Sequence, residues 1–277
     1  MNIGIVGLGL IGGSLAKSAK KNTDHKILGT DRSKPVFDYA LLSGIIDGEL
    51  NTEALKDCDA VFISLYPEAA VKYIEDNASN FKKGCLVIDC AGIKRVVCEK
   101  GFALAEENGF HFIGGHPMAG TQYSGIKYSK DTMFKNACFV LVPKHEEDVY
   151  VLGKARDIII EIGFAKITVM DAKKHDRLIA FSSQLAHVVS NAYVKSPSAN
   201  EHKGISAGSY KDMTRVAYLN ENMWTELFID NGDNLVNELD ILIKELTKYR
   251  DAIKEKDADA LRLLLKDGRE AKERIDS

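Results

Sequence analysis

Along residues 1–170, short apolar runs rich in β-branched residues alternate with longer stretches of helical periodicity. The runs are NIGIVGL (2–8), KILGTD (26–31), AVFISLY (60–66), CLVIDC (85–90), FHFIGG (110–115), CFVLVP (138–143) and AKITVM (165–170). Between them the spacing predicts helices over 12–21, 34–42, 68–80, 94–108 and 146–162. Strands that are apolar on both faces and separated by helices predict a doubly wound, mainly parallel sheet covered on both sides. After Met170 no further strand pattern occurs. Asp171 is placed to cap a long helix through DAKKHDRLIAFSSQLAHVVSNAYV, and SPSANEHKG (196–204) reads as a loop between helices. Leu235, Leu239, Leu242 and Leu246 then form a stripe at helical spacing. The expectation is an α/β domain over 1–168 and an all-α domain over 169–277. The second is expected to form a homodimer, because one layer of helices cannot cover its own apolar face.

At 277 residues and 45% hydrophobic content, the chain can bury a full core in each of two domains. With 37 basic and 40 acidic residues and a net charge of -3, no global field points to nucleic acid or an anionic membrane as partner. Recognition must therefore be local. Cys58, Cys85, Cys90, Cys98 and Cys138 form no CxxC pair and no zinc-type spacing with histidine. They read as free thiols in a reducing compartment, so the cytoplasm is the expected location and no metal site is expected. The apolar N-terminus lacks the basic start of a signal peptide, and no membrane-spanning run is present.

Gly7-Leu8-Gly9-Leu10-Ile11-Gly12 has the spacing GxGxxG directly between a predicted strand and a predicted helix. In that context the first glycine allows a tight turn, the second lets backbone approach a pyrophosphate, and the third packs helix on strand. Asp31, nineteen residues after Gly12, ends the second strand where an acid bonds ribose hydroxyls. These features predict a Rossmann-type domain that binds NAD. Asp31 repels a 2′-phosphate and so favours NAD over NADP, while the adjacent Arg32 pulls the other way. His116, in GGHPMAGTQYSG (114–125), follows a strand whose end lies at the carboxyl edge of the sheet. An imidazole there suits a base that takes a hydroxyl proton as hydride leaves.

GLGLIGGSLA (7–16), GGHPMAGTQYSG (114–125), HDRLIAFSSQLAH (175–187) and GSYKDMTR (208–215), in this order, resemble the prephenate dehydrogenase family of tyrosine biosynthesis. The resemblance implies oxidation of a small dicarboxylate, prephenate, with NAD and loss of its ring carboxylate as carbon dioxide to give 4-hydroxyphenylpyruvate. It implies that His116 bonds the ring hydroxyl and accepts its proton, and that Arg215 holds a substrate carboxylate. It places His187 near the substrate side chain, Thr121 in a substrate-contacting loop, and Gly208 and Trp224 around the substrate. Gly92 falls among the cofactor contacts. The residues after the helical region leave no length for the regulatory or chorismate mutase domains of some relatives, so any tyrosine inhibition would act at the active site.

Departures from the family pattern matter as well. Where relatives carry a serine that contacts the catalytic histidine, the stretch here is Asp89-Cys90-Ala91-Gly92-Ile93-Lys94, so backbone or water is expected to replace the hydroxyl. Gln122 stands where some relatives have an acid, and Ala186 where many have proline. Simpler roles stay open for several residues: Arg215 as ion-pair partner of Asp212, His187 as a core histidine bonded to Ser183, and Trp224 as a core anchor. His175 reads as a structural partner of Asp176 or of the helix start rather than a catalyst. Arogenate dehydrogenase is the nearest variant activity. Hydroxyacid dehydrogenases and imine reductases share the architecture but not GGHPMAG, and a non-catalytic NAD-responsive binding protein is the alternative from another class.

Overall fold

The computed structural model describes residues 1–145, 148–202 and 204–277. Eight strands form one sheet: β1 (Asn2–Val6), β2 (Lys26–Thr30), β3 (Gly48–Glu49), β4 (Ala60–Ile63), β5 (Leu86–Asp89), β6 (His111–Pro117), β7 (Cys138–Val142) and β8 (Lys166–Val169). Their order is β3-β2-β1-β4-β5-β6-β7-β8. All pairings are parallel except that of β6 with β7, where Gly115 stands opposite Leu141 and His116 opposite Val140. The sheet is therefore mainly parallel, as its doubly apolar strands predict. Strand β3 and the four-residue helix α3 (Thr52–Leu55) have no counterpart in the pattern, because neither is long enough to display a period.

Five longer helices cover the sheet: α1 (Leu10–Asn22), α2 (Lys34–Leu42), α4 (Pro67–Asn77), α5 (Arg95–Asn108) and α6 (Val149–Ile162). Their ends follow from local chemistry. Prolines sit in the first turns of α2 and α4, and Gly109 and Gly163 end α5 and α6 in the left-handed region. Asp148 caps α6 through a bond from the Val151 N–H, while residues 146 and 147 of the helix predicted over 146–162 lie outside the described residues. Alternate strand residues feed two cores. Ile5, Phe62 and Ile88 pack with Leu15 of α1 and Ile159 of α6, and Val6, Val61 and Val87 pack with Ala70 of α4 and Val97 of α5.

The second half consists of α7 (Ala172–Ile179), α8 (Ala186–Tyr193), α9 (Gly208–Thr214), α10 (Glu221–Asp230), α11 (Gly232–Glu255) and α12 (Ala258–Asp276). Asp171 caps α7 by accepting from the Lys174 N–H at 2.9 Å. The predicted long helix is continuous with α8 only through a π-helical turn at Ala180–Leu185. Of the leucine stripe on α11, Leu235 is buried and Leu246 is 57% exposed, and Ile253 and Leu263 are exposed beside it. Among the described residues, no helix is long and apolar enough to cross a membrane.

Candidate active site

The turn between β1 and α1 is shaped by its glycines. Gly7 has φ +83°, and a Cβ on Gly12 would lie 1.8 Å from the Gly7 carbonyl oxygen. A Cβ on Gly9, by contrast, would meet no atom within 4 Å, so backbone there can be approached closely. Helix α1 has no side-chain cap and no acid in its first turn. Its leading N–H groups and positive dipole end are thus available to a phosphate. Leu8 contributes its backbone rather than its fully buried side chain, and Leu10 and Ile11 are half-buried in the first turn. The Leu8 N–H donates to Asp31 Oδ2 at 2.8 Å, and the Ser33 N–H donates to Asp31 Oδ1 at 2.8 Å. Those bonds fix the carboxylate beside the glycine turn while leaving lone pairs for ribose hydroxyls. Arg32 is exposed next to it. The donor set and the open backbone fit a dinucleotide.

His116 lies within β6 rather than after it, one residue from the strand's carboxyl end. Beneath it, the Lys94 ammonium is paired with the Asp89 carboxylate, both side chains having no exposed surface. Lys94 Nζ also donates to the Gly115 carbonyl at 2.6 Å, and the Gly115 N–H donates to Asp89 Oδ2 at 3.1 Å. The pair therefore clamps the strand end that presents His116. Burial, the neighbouring His175 and the Lys94 ammonium push the His116 pKa well below the usual imidazole value.

Among the described residues, the side chain that reaches this ring is an imidazole. His116 Nδ1 lies 2.9 Å from His175 Nε2, and His175 Nδ1 lies 2.7 Å from Asp176 Oδ1. The structural pairing of His175 with Asp176 is present, but the other face of that imidazole reaches His116. A Cβ on Gly92 would lie 3.3 Å from Leu227 Cδ2 of α10, so a side chain at that position would press on the helical half. Asp176 also accepts from the Lys94 and Arg95 N–H groups at the start of α5, at 2.7 and 2.9 Å. Arg95 extends this seam to Asn231 and Asp233 of the helical half.

A second cluster sits on the helices. His187 Nδ1 lies 2.8 Å from the Ser183 carbonyl oxygen, so the bond goes to backbone and not to the serine hydroxyl. Its ring lies over Trp224 with centroids 4.0 Å apart. Burial lowers the His187 pKa and the Arg215 charge lowers it further, against the Ser183 bond. Arg215 ends α9, is exposed, and makes no ion pair with Asp212 among the described residues. Gly208 opens α9 and is exposed, and among the described residues the exposed Thr121 side chain exchanges hydrogen bonds only with the Tyr123 backbone. Twelve residues of ideal helix would put His187 about 120° around the axis from His175. The π-helical turn between them absorbs about one residue and reduces this to about 20°, returning His187 to the side that carries His175. The sequence assigned no role to Lys94, Arg95 and Asn231, and gave His175 and Asp176 only their pairing with each other. Only the Asp-x4-Lys spacing and the His-Asp dipeptide hinted at them.

A glycine turn opening a doubly wound sheet, an imidazole at the carboxyl edge of the same sheet, and a helical half closing over that edge define a dinucleotide-dependent oxidoreductase. Comparison with known proteins narrows this. Residues 15–169 match the nucleotide-binding domain of prephenate dehydrogenase, and residues 171–267 match its dimerization domain. The chain belongs to the prephenate dehydrogenase family. It is 29% identical over 266 residues to the prephenate dehydrogenase of Bacillus subtilis, covering 93% of this chain and 71% of that one. The structure of Aquifex aeolicus prephenate dehydrogenase in complex with hydroxyphenyl propionate and NAD+ superimposes with a TM-score of 0.80 at 27% identity, covering 99% of this chain and 98% of that one. Synechocystis arogenate dehydrogenase superimposes with a TM-score of 0.81 at 25% identity, covering 99% and 100%.

Proposed function

We propose that the chain catalyses NAD-dependent oxidative decarboxylation of prephenate to 4-hydroxyphenylpyruvate. The observation that carries this reading is that Gly7, after β1, and His116, at the end of β6, share the carboxyl edge of one sheet whose strands β1, β4, β5 and β6 are all parallel. NAD held on the glycine turn supplies the hydride acceptor. His116 takes the proton of the ring hydroxyl as hydride leaves the same carbon, the electron pair of the breaking ring–carboxylate bond completes the aromatic ring, and the resulting phenolate oxygen takes the proton back. Aromatisation drives the step, so the residues mainly orient and deprotonate. Arg215 offers a planar fork for a substrate carboxylate, with His187 and Trp224 beside the side chain. The division of labour we infer assigns the cofactor to residues 1–168, and substrate contacts and pairing of two copies to residues 169–277. The apolar groups left exposed on α11 and α12 support that pairing.

The test is reduced-nucleotide formation with prephenate and arogenate, each with NAD and NADP. Prephenate with NAD should give the highest kcat/KM, with one carbon dioxide per NADH. Preference for arogenate would move the assignment to that substrate, and turnover of neither would remove the enzymatic reading.

A further inference from the structure

Asp176 receives four donors: the Lys94 N–H and His175 Nδ1 on one oxygen, and the Arg95 N–H and Arg95 Nε on the other. A carboxyl so surrounded can only accept. Burial works to raise its pKa, but the bonds from His175 and from the α5 backbone outweigh that and hold it below the usual carboxylate value. The proton of the His175–Asp176 bond therefore resides on His175 Nδ1. Burial keeps the ring of His175 neutral, so its Nε2 carries a lone pair. Only a donor can face that lone pair at 2.9 Å, which places a proton on His116 Nδ1. With one proton per neutral ring, His116 Nε2 is left bare.

We propose that His175 and Asp176 are positioning residues that fix His116 in the tautomer whose Nε2 is free to take the substrate proton, in place of the hydroxyl that Gly92 lacks. This rests on His116 being the base. The order of groups is the start of α5, Asp176, His175, His116. When His116 gains its proton, the Asp176 charge two groups away stabilises the imidazolium without itself being protonated, as the aspartate does in a serine-protease triad. Lys94, paired with Asp89, faces the same ring and opposes its protonation, so the anionic end of the chain has a specific charge to offset.

Two conservative variants separate positioning from folding. His175→Asn retains a donor near the place of Nδ1 for Asp176 but cannot reach His116. His175→Gln puts an acceptor where Nε2 stood. With prephenate and NAD, His175→Asn should lower kcat about 10- to 100-fold with KM within about two-fold, and His175→Gln should recover most of the loss. Nitrogen-15 spectra of the full chain at pH 7.5 provide a readout independent of turnover. His116 should be protonated at Nδ1 in the wild type and a mixture of tautomers in His175→Asn. A wild-type His116 protonated at Nε2, or an unchanged kcat in His175→Asn, would overturn the proposal. His116→Asn is the control for the underlying reading: if it retains turnover, His116 is not the base, whereas its loss alongside an active His175→Asn would sink only the positioning role.

Discussion

Replacing Lys94 by methionine removes one half of an ion pair in which neither side chain has any exposed surface. Methionine has similar length and fills the space, so the cost is electrostatic. Asp89 would retain the N–H groups of Ala91 and Gly115 but no counter-charge, and the Gly115 carbonyl would lose its ammonium donor. Breaking a buried pair by removing one partner costs about 3–5 kcal/mol. At about 2–4 °C per kcal/mol for a chain of this order of size, the apparent Tm should fall by about 6–20 °C. Adding Asp89→Asn removes the stranded charge and leaves one backbone N–H facing an amide, a deficit of about 1–3 kcal/mol. The double variant should therefore be more stable than the single. The check is a double-mutant cycle in urea with circular dichroism and intrinsic fluorescence as probes. A single variant within about 1 kcal/mol of the wild type, or a double variant no better than the single, would refute the view that the pair is a dry clamp under His116.

Other expectations follow from the same geometry. His116→Asn should lower kcat by about 10² to 10⁴ with KM little changed, measured as NADH formation; retained turnover would end its assignment as base. Arg215→Ala should raise KM for substrate while kcat falls less, and an unchanged KM would make the arginine a surface residue. Gly12→Ala should weaken NAD at least about 10-fold by calorimetry, since its Cβ would lie 1.8 Å from the Gly7 carbonyl oxygen; equal affinity would deny the turn its role. The depressed pKa of His116 puts the acid limb of kcat below pH 6.5. For stability, His116, His175 and His187 are all held below the ordinary imidazole value of about 6.5 in the folded chain. The unfolded chain thus binds protons first, and stability should drop as pH falls below 6.5 while being level above it; a Tm constant from pH 7.5 to 5 would contradict this.

The sheet was legible because its strands are apolar on both faces, and most helices between them begin or end at a proline, aspartate or glycine. The glycine turn and Asp31 were legible because their spacing is local. What escaped is non-local. His116 and His175 are 59 positions apart and meet only because α7 packs against the sheet edge, so no window of sequence displays the bond. Gly92 announced a missing hydroxyl, but its replacement lay in a His-Asp dipeptide whose nearest reading was a local pairing or a helix start. Lys94 was visible as a residue, but its complete burial was not, because a lysine in sequence reads as exposed. The π-helical turn has no compositional signature and adds a residue without altering the polar–apolar alternation around it.

That turn also determines which changes in length the protein tolerates. Deleting one residue between Ala180 and Leu185 would remove the extra residue of the π turn and leave His187 in its present phase, whereas deleting one from the flanking α-helical turns would swing His187 and everything after it by about 100°. Substitutions along this helix alter the site one side chain at a time, whereas a single-codon gap outside the π turn would turn the whole second cluster away at once. Between His175 and His187, the loss of one residue that keeps the second cluster in place is therefore the loss of the π turn itself.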